Sequence, residues 1–198
     1  MNSHSEMLNS YEKSLRNPAQ GVDGLNPSEY DVKIFLSKLG NVEKIPEDNN
    51  NKNPDFIIKD RRLVFEVKSI NTVYCGKVDE NNIKINLKDE KLFIEKFNFT
   101  LRDIEKKFDN YPNDFSIGVI WIEHLQHTMS LSHLDFNGEL IRKTDFMKAK
   151  FDGLLIYFEQ AGGRTNNKKP FLFSNNSQLD IIFSNEYSNN ELTIINLS

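Results

Sequence analysis

The residues of this chain best suited to chemistry are two carboxylates and a lysine: Asp55, Glu66 and Lys68. Glu66 and Lys68 interrupt the mostly apolar run from Leu63 to Ile70, which predicts a strand. Alternate residues of a strand share a face, so Glu66 and Lys68 lie together, opposite Val67. Burying charged groups is costly unless they pair or bind metal, so this pair indicates a functional site.

Asp55 opens the preceding predicted strand, residues 55–59, and residues 60–62 form a tight connection to the next strand. A hairpin about this connection brings Asp55 near Glu66 and Lys68. Two carboxylates, a backbone carbonyl, which we assign to Val67, and waters make an oxygen-rich site suited to Mg²⁺ or Mn²⁺. Such an ion polarises a phosphate and lowers the pKa of water, while a lysine offsets phosphate charge or helps to deprotonate the nucleophile. The chemistry indicated is phosphodiester hydrolysis.

This segment resembles the PD-(D/E)xK nucleases, a superfamily that includes restriction endonucleases and related repair and recombination enzymes. Pro54-Asp55 matches the first half of the motif, and Glu66-Val67-Lys68 matches the second. The resemblance implies that Asp55 and Glu66 are metal ligands and that Lys68 is the catalytic lysine. It also implies a further acid from the first core helix, for which Glu29 is the matching candidate. The alternative for Glu29 is a capping box with Asn26.

The bare pattern of an acid, any residue and a lysine has little specificity, because it occurs four times in the chain. The occurrences are Asp31/Lys33, Glu66/Lys68, Asp89/Lys91 and Glu105/Lys107. Three of them lie on predicted helices rich in charge, where solvated pairs are ordinary. Only Glu66/Lys68 lies in a predicted apolar strand, and the strand before it begins with Pro-Asp. The alternative interpretation of this pair is a charged pair on a solvent-facing surface of a sheet.

The order of predicted elements is helix, three strands, long helix and strand. Asn26 is a suitable N-cap for the first helix and Gly40 ends it; the long helix spans 88–110 and stops before Pro112. This mixture indicates an α/β or α+β domain around one central sheet. The αβββαβ order also matches the core of the superfamily that the motif resembles, and the resemblance implies an α/β fold with a restriction-endonuclease-like core, a central mixed β-sheet flanked by helices, to which the late elements add C-terminal strands. The strands of the core are expected at 42–45, 55–59, 63–70 and 116–123. Weaker expectations are a strand at 83–87, a helix at 139–151 and strands at 154–158, 171–173, 179–183 and 192–196.

The chain has 198 residues and a formal net charge of −4. We expect a polar extension, 1–25, and a single nuclease-like domain, 26–198, with its core in 26–124 and a C-terminal elaboration in 125–198. No signal or membrane-length apolar run is present, and the lone cysteine, Cys75, fits a reducing compartment. These features predict a cytoplasmic protein without a membrane partner. The net acidity does not exclude a nucleic-acid partner, since a local basic groove is sufficient.

Other candidate groups have weaker support. His124, His127 and His133 lack a cysteine partner for zinc, and Cys75 has no nucleophile motif. The Gly-rich basic segment 161–169 predicts a hairpin loop, with a flexible arm against DNA as the alternative. Three polar residues are candidates for contact with a phosphate backbone, and the alternative is that they lie on an ordinary solvated surface: Lys91, Lys96 and Gln126.

The sequence therefore predicts a Mg²⁺-dependent or Mn²⁺-dependent endonuclease whose expected substrate is DNA. One alternative is a catalytically inactive nucleic-acid-binding or assembly module of the same fold. Others are a toxin or effector nuclease, and an α/β protein whose charged strand pair is structural. The residues after 124 are expected to carry a recognition element or the surface of a homodimer.

Overall fold

A seven-stranded sheet runs through the protein, with its strands side by side in chain order. The computed structural model describes residues 25–46, 53–71, 87–109, 111, 115–123, 139–158 and 169–197. The strands are β1 (Glu43–Lys44), β2 (Phe56–Ile58), β3 (Leu63–Asn71), β4 (Phe115–Glu123), β5 (Gly153–Phe158), β6 (Phe171–Ser174) and β7 (Thr193–Asn196).

The sheet is mixed, as the sequence predicts. β1, β2 and β3 pair antiparallel, β3, β4 and β5 pair parallel, β6 is antiparallel to β5, and β7 is parallel to β6. Lys59–Arg61 forms a 3₁₀ turn between β2 and β3, and Arg62 closes it with a left-handed φ of 54°. The prediction of an α/β protein with helices flanking a mixed sheet is confirmed. The sheet is larger than the four-stranded core that the sequence predicts.

Four α-helices within the described ranges cover the two faces of the sheet. They are α1 (Pro27–Leu36), α2 (Leu87–Phe108), α3 (Glu139–Arg142) and α4 (Ser177–Glu186). α1 begins where the sequence predicts because the Asn26 side chain accepts the amide N–H of Glu29, and Glu29 in turn accepts the N–H of Asn26. Pro27 occupies the first helical position, where its missing N–H costs nothing.

Each face of the sheet contributes to a separate apolar core. α1 and α4 pack on the face that carries Phe65 and Val67. α2 and residues 141–151 pack on the face that carries Ile70 and Ile120, where Phe97, Leu101 and Ile104 are buried. Since Glu66 and Lys68 alternate with Phe65 and Val67, they lie on the α2 face.

Two late expectations are wrong. Residues 179–183 are helical, within α4, because Asn176 caps a helix by accepting the N–H of Gln178; a short apolar run does not distinguish a strand from a buried helix. The helix expected at 139–151 is only the four residues of α3, followed by a 3₁₀ turn at Asp145–Lys148. The expected strand at 83–87 lies almost wholly outside the described residues, and Leu87 begins α2.

No helix within the described ranges is both long and apolar enough to cross a membrane. The longest helix, α2, has 22 residues, and charged residues occur along its whole length.

Candidate active site

Asp55 lies where β2 begins and is fixed by two hydrogen bonds to β3. Its backbone N–H donates to the carbonyl of Phe65 at 2.9 Å, and its Oδ2 accepts the N–H of Val67 at 2.7 Å. The register pairs Phe56 with Phe65, so one step further Asp55 stands across from Glu66. The Asp55 carboxylate thus closes the hairpin at the point where β3 runs on past β2.

Glu66 is completely buried, with 0% of the residue exposed. The ammonium of Lys68 lies 2.6 Å from its Oε1, and the ammonium of Lys107 lies 3.8 Å from the same atom. Oε1 is therefore paired with Lys68, whereas Oε2 is buried and accepts no hydrogen bond within the described part of the chain. Buried carboxylate oxygens in native proteins usually have a partner, so Oε2 is suited to accept from water or to bind an ion.

The surroundings of Glu66 raise its pKa from the ordinary 4.5 to about 7. Burial is the largest cause, because a charged carboxylate loses solvation inside the protein. The Asp55 carboxylate adds to the rise by repulsion, whereas the ammonium groups of Lys68 and Lys107 oppose it. Two carboxylates that repel each other in this way form a site that a divalent cation would stabilise.

Lys68 is partly open to solvent, with 29% of its side chain exposed. Burial lowers its pKa, but the close carboxylate of Glu66, together with Asp55 and Asp103, outweighs burial and raises the pKa above 10.5. Asp103 Oδ2 lies 3.8 Å from the Lys68 ammonium. Lys68 is therefore a cation at neutral pH, and this geometry favours charge stabilisation over the deprotonating role that the sequence left open.

Two site residues that sequence analysis did not single out come from α2: Asp103 and Lys107. Lys107 donates from Nζ to the backbone carbonyl of Asn53 at 3.1 Å, in addition to its ion pair with Glu66. The sequence does contain a signal for these two residues, in their spacing along the helix. Asp103 and Lys107 are four residues apart and lie along one side of the apolar stripe that contains Ile104.

Gly118 explains why α2 can approach the site closely. It is the β4 residue in register with Glu66, on the same face of the sheet. A Cβ at this position would lie 3.2 Å from Ile104 Cγ2 and 3.2 Å from Phe151 Cε2. The missing side chain therefore leaves room for α2, which carries Asp103 and Lys107 toward β3.

Glu29 is not brought together with Asp55, Glu66 and Lys68. Its carboxylate accepts the Asn26 backbone N–H at 2.8 Å and lies 3.6 Å from the Lys44 ammonium. Its helix, α1, packs on the sheet face opposite the one that carries Glu66. The capping box, which the sequence offered as the alternative, is the arrangement that the structure contains, and a role for Glu29 at the site stays a prediction.

The oxygens at this site fit a hard divalent cation. The described residues include no cluster of three or more His, Cys, Asp or Glu side chains that could hold a metal, so Asp55 and Glu66 would need oxygens from elsewhere. The N–H and carbonyl of one strand residue point to the same side of the strand, so the Val67 carbonyl faces the Asp55 edge. Two carboxylates, this carbonyl and waters suit Mg²⁺ or Mn²⁺ better than zinc.

The remaining candidates do not join this site. Two cavities, of about 200 Å³ and 320 Å³, lie beside α2. Glu105 lines both of them, and neither is lined by Asp55 or Glu66. Lys91 is exposed and lies 3.9 Å from Glu95 in an ordinary helical pair. Several sequence candidates lie outside the described residues: Cys75, His124, Gln126, His127, His133 and most of the loop at 161–169.

Comparison of the chain with protein-family models, with curated proteins and with solved structures finds no match. Any function must therefore be argued from the geometry and chemistry of the site itself.

Proposed function

We propose that this protein is a divalent-metal-dependent nuclease with a restriction-endonuclease-like core that hydrolyses phosphodiester bonds, with DNA as substrate. Asp55, Glu66 and the carbonyl of Val67 would hold Mg²⁺ or Mn²⁺. The observation that carries the proposal is the convergence of Asp55 with a buried Glu66, whose Oε1 is paired with a protonated Lys68 and whose Oε2 lacks a hydrogen-bond partner among the described residues.

The charge balance at the site supports this assignment. Keeping the buried carboxylate of Glu66 ionised costs free energy. The ion pair with Lys68 offsets only part of that cost, since the pKa of Glu66 remains at about 7. When bound, the cation would supply Lewis-acid stabilisation of phosphate charge. A divalent ion between the two carboxylates would also favour their ionised forms, which would account for two acids close enough to repel each other.

Lys68 has a separate part in the proposed reaction. With 29% of its side chain exposed, its ammonium can reach an anionic substrate while the fully buried Glu66 stays behind it. Negative charge builds on the phosphate oxygens in the transition state, and a fixed ammonium stabilises that charge. With a raised pKa, Lys68 stays protonated through the reaction and acts as a charge stabiliser.

The test is a cleavage panel with circular, linear, branched and single-stranded DNA and with RNA, each with Mg²⁺, Mn²⁺ or chelator. Cleavage that requires the metal and is lost in Asp55→Asn supports the proposal. Asp60→Asn is the matched control, because Asp60 lies exposed on the turn between the same two strands. Activity that survives chelator, or equal loss in both variants, would contradict it.

A catalytically inactive nucleic-acid-binding module is the second candidate. The 2.6 Å ion pair between Lys68 and Glu66 favours it, because a lysine that only neutralises a buried acid needs no metal. Nucleic-acid binding without cleavage, together with no measurable Mn²⁺ affinity, would identify this module.

A further inference from the structure

Lys107, on α2, contacts two parts of the candidate site: the segment that leads into Asp55, and Glu66 on β3. Its ammonium donates to the carbonyl of Asn53 at 3.1 Å and lies 3.8 Å from Glu66 Oε1. Only 22% of its side chain is exposed. Its neighbour in sequence, Lys106, is exposed on the outer side of the helix.

The contact with Asn53 fixes the backbone that leads into Asp55. Only Pro54 separates the two residues, and Pro54 is buried with its φ restricted by the ring. A hydrogen bond that holds the Asn53 carbonyl therefore limits how far Asp55 can move away from β3. The same ammonium attracts Glu66, so one side chain holds both the segment before Asp55 and the Glu66 carboxylate from the α2 side.

We propose that Lys107 is a positioning residue that fixes Asp55 relative to Glu66 and thereby sets the affinity of the site for a divalent cation. The statement about the cation rests on the proposed function, whereas the statement about Asp55 rests on the contacts alone. Lys107 differs in this from Lys68, whose ammonium contacts Glu66 but is not linked to the segment before Asp55. It acts through Asp55 and Glu66, as residues behind metal ligands commonly do.

The position of Asp55 has a direct reporter in the N–H of Val67, which donates to Asp55 Oδ2. Loss of this bond should speed the exchange of the Val67 amide hydrogen with solvent, since β2 does not pair with β3 beyond Phe65. The Ile120 amide, inside the central strand β4, reports global opening and serves as the internal reference.

The experiment compares Lys107→Met, Lys107→Arg and the control Lys106→Met by amide exchange and by Mn²⁺ calorimetry. In Lys107→Met we expect Val67 exchange to speed up about tenfold relative to Ile120, and Mn²⁺ affinity to fall about tenfold. Lys107→Arg should keep the Val67 exchange rate and the Mn²⁺ affinity close to their wild-type values. Lys106→Met should change neither the exchange rate nor the affinity. If Lys107→Met does not fold, Lys107→Ala carries the same comparison, because it also removes both the charge and the donor.

Each outcome bears on the proposal. Unchanged Val67 exchange in a folded Lys107→Met or Lys107→Ala protein overturns it, as does an equal fall in Mn²⁺ affinity in Lys106→Met. If the wild-type protein binds no Mn²⁺, the proposed function and the cation statement both fail. The exchange experiment then still decides whether Lys107 holds Asp55 in place.

Discussion

The backbone N–H of Val67 donates to Oδ2 of Asp55 at 2.7 Å, so a side chain takes the place of a strand neighbour at the end of the hairpin. β2 begins only at Phe56, and β3 continues beyond it to Asn71. This bond places a carboxylate beside the part of β3 that extends past β2, across from buried Glu66. The candidate site is therefore a consequence of where β2 begins.

The first prediction concerns Asp55 and metal. Asp55→Ala should abolish Mn²⁺ binding while the protein still folds, because one of two carboxylates is lost from an otherwise intact site. The lost hydrogen bond to Val67 should lower the free energy of unfolding by about 1–2 kcal/mol. Calorimetry and urea unfolding measure the two effects, with Asp60→Ala as control. Unchanged Mn²⁺ affinity in Asp55→Ala would show that the site is assigned to the wrong residues.

The second prediction separates a catalytic from a structural lysine. Lys68→Met should lose single-turnover cleavage while it retains most DNA and Mn²⁺ binding, since a contact made in the transition state affects turnover more than ground-state affinity. Lys59→Met is the control, because Lys59 forms an exposed pair with Glu43. A folded Lys68→Met protein that cleaves at the wild-type rate would contradict the role given to Lys68.

The stability of Lys68→Met should depend on pH. Removing one partner of a buried ion pair costs about 3–5 kcal/mol when the other must stay charged. Glu66, with a pKa of about 7, can avoid this cost by taking up a proton. The loss of stability should therefore be smaller at pH 6 than at pH 8. An equal loss at both pH values would argue that Glu66 does not titrate in this range.

The third prediction concerns pH in the wild-type protein without metal. The pKa of Glu66 is about 7 in the folded protein and about 4.5 as the ordinary value, so between these pH values the folded state holds a proton that the unfolded state releases. The free energy of unfolding should fall as pH rises through this window, by on the order of 3 kcal/mol. Other titrating groups contribute equally to Glu66→Gln, so subtracting that variant isolates Glu66. If the free energy of unfolding of wild type minus that of Glu66→Gln rises with pH in this window, the predicted direction is wrong.

The fourth prediction concerns Gly118, which gives α2 its close approach. Gly118→Val should lower the free energy of unfolding by about 1–3 kcal/mol, because the added side chain meets Ile104 and Phe151. Gly118→Ala should cost less, since its Cβ contacts of 3.2 Å need shifts of only a few tenths of an ångström. Thermal unfolding of both variants measures the effect. Equal stability of Gly118→Val and wild type would show that α2 does not need this space.

The sequence alone determines the local arrangement of the candidate site. Strand alternation puts Glu66 and Lys68 on one face, and the short connection through Arg61 makes Asp55 approach them, because both effects act between residues close in the chain. The start of α1 is equally local, since Asn26, Pro27 and Glu29 satisfy the first helical N–H groups among themselves.

Only the tertiary structure decides which helix covers which face of the sheet. A hydrophobic stripe shows that a helix packs on a surface but not on which one, so the sequence could not show that Lys107 reaches Glu66 or that Glu29 lies on the opposite side. Residues 179–183 lie in α4 although their pattern predicts a strand, because the burial of Leu179 and Phe183 fits either period over so few residues. These choices depend on contacts between segments far apart in the chain, whose free energy appears only when the whole core is packed.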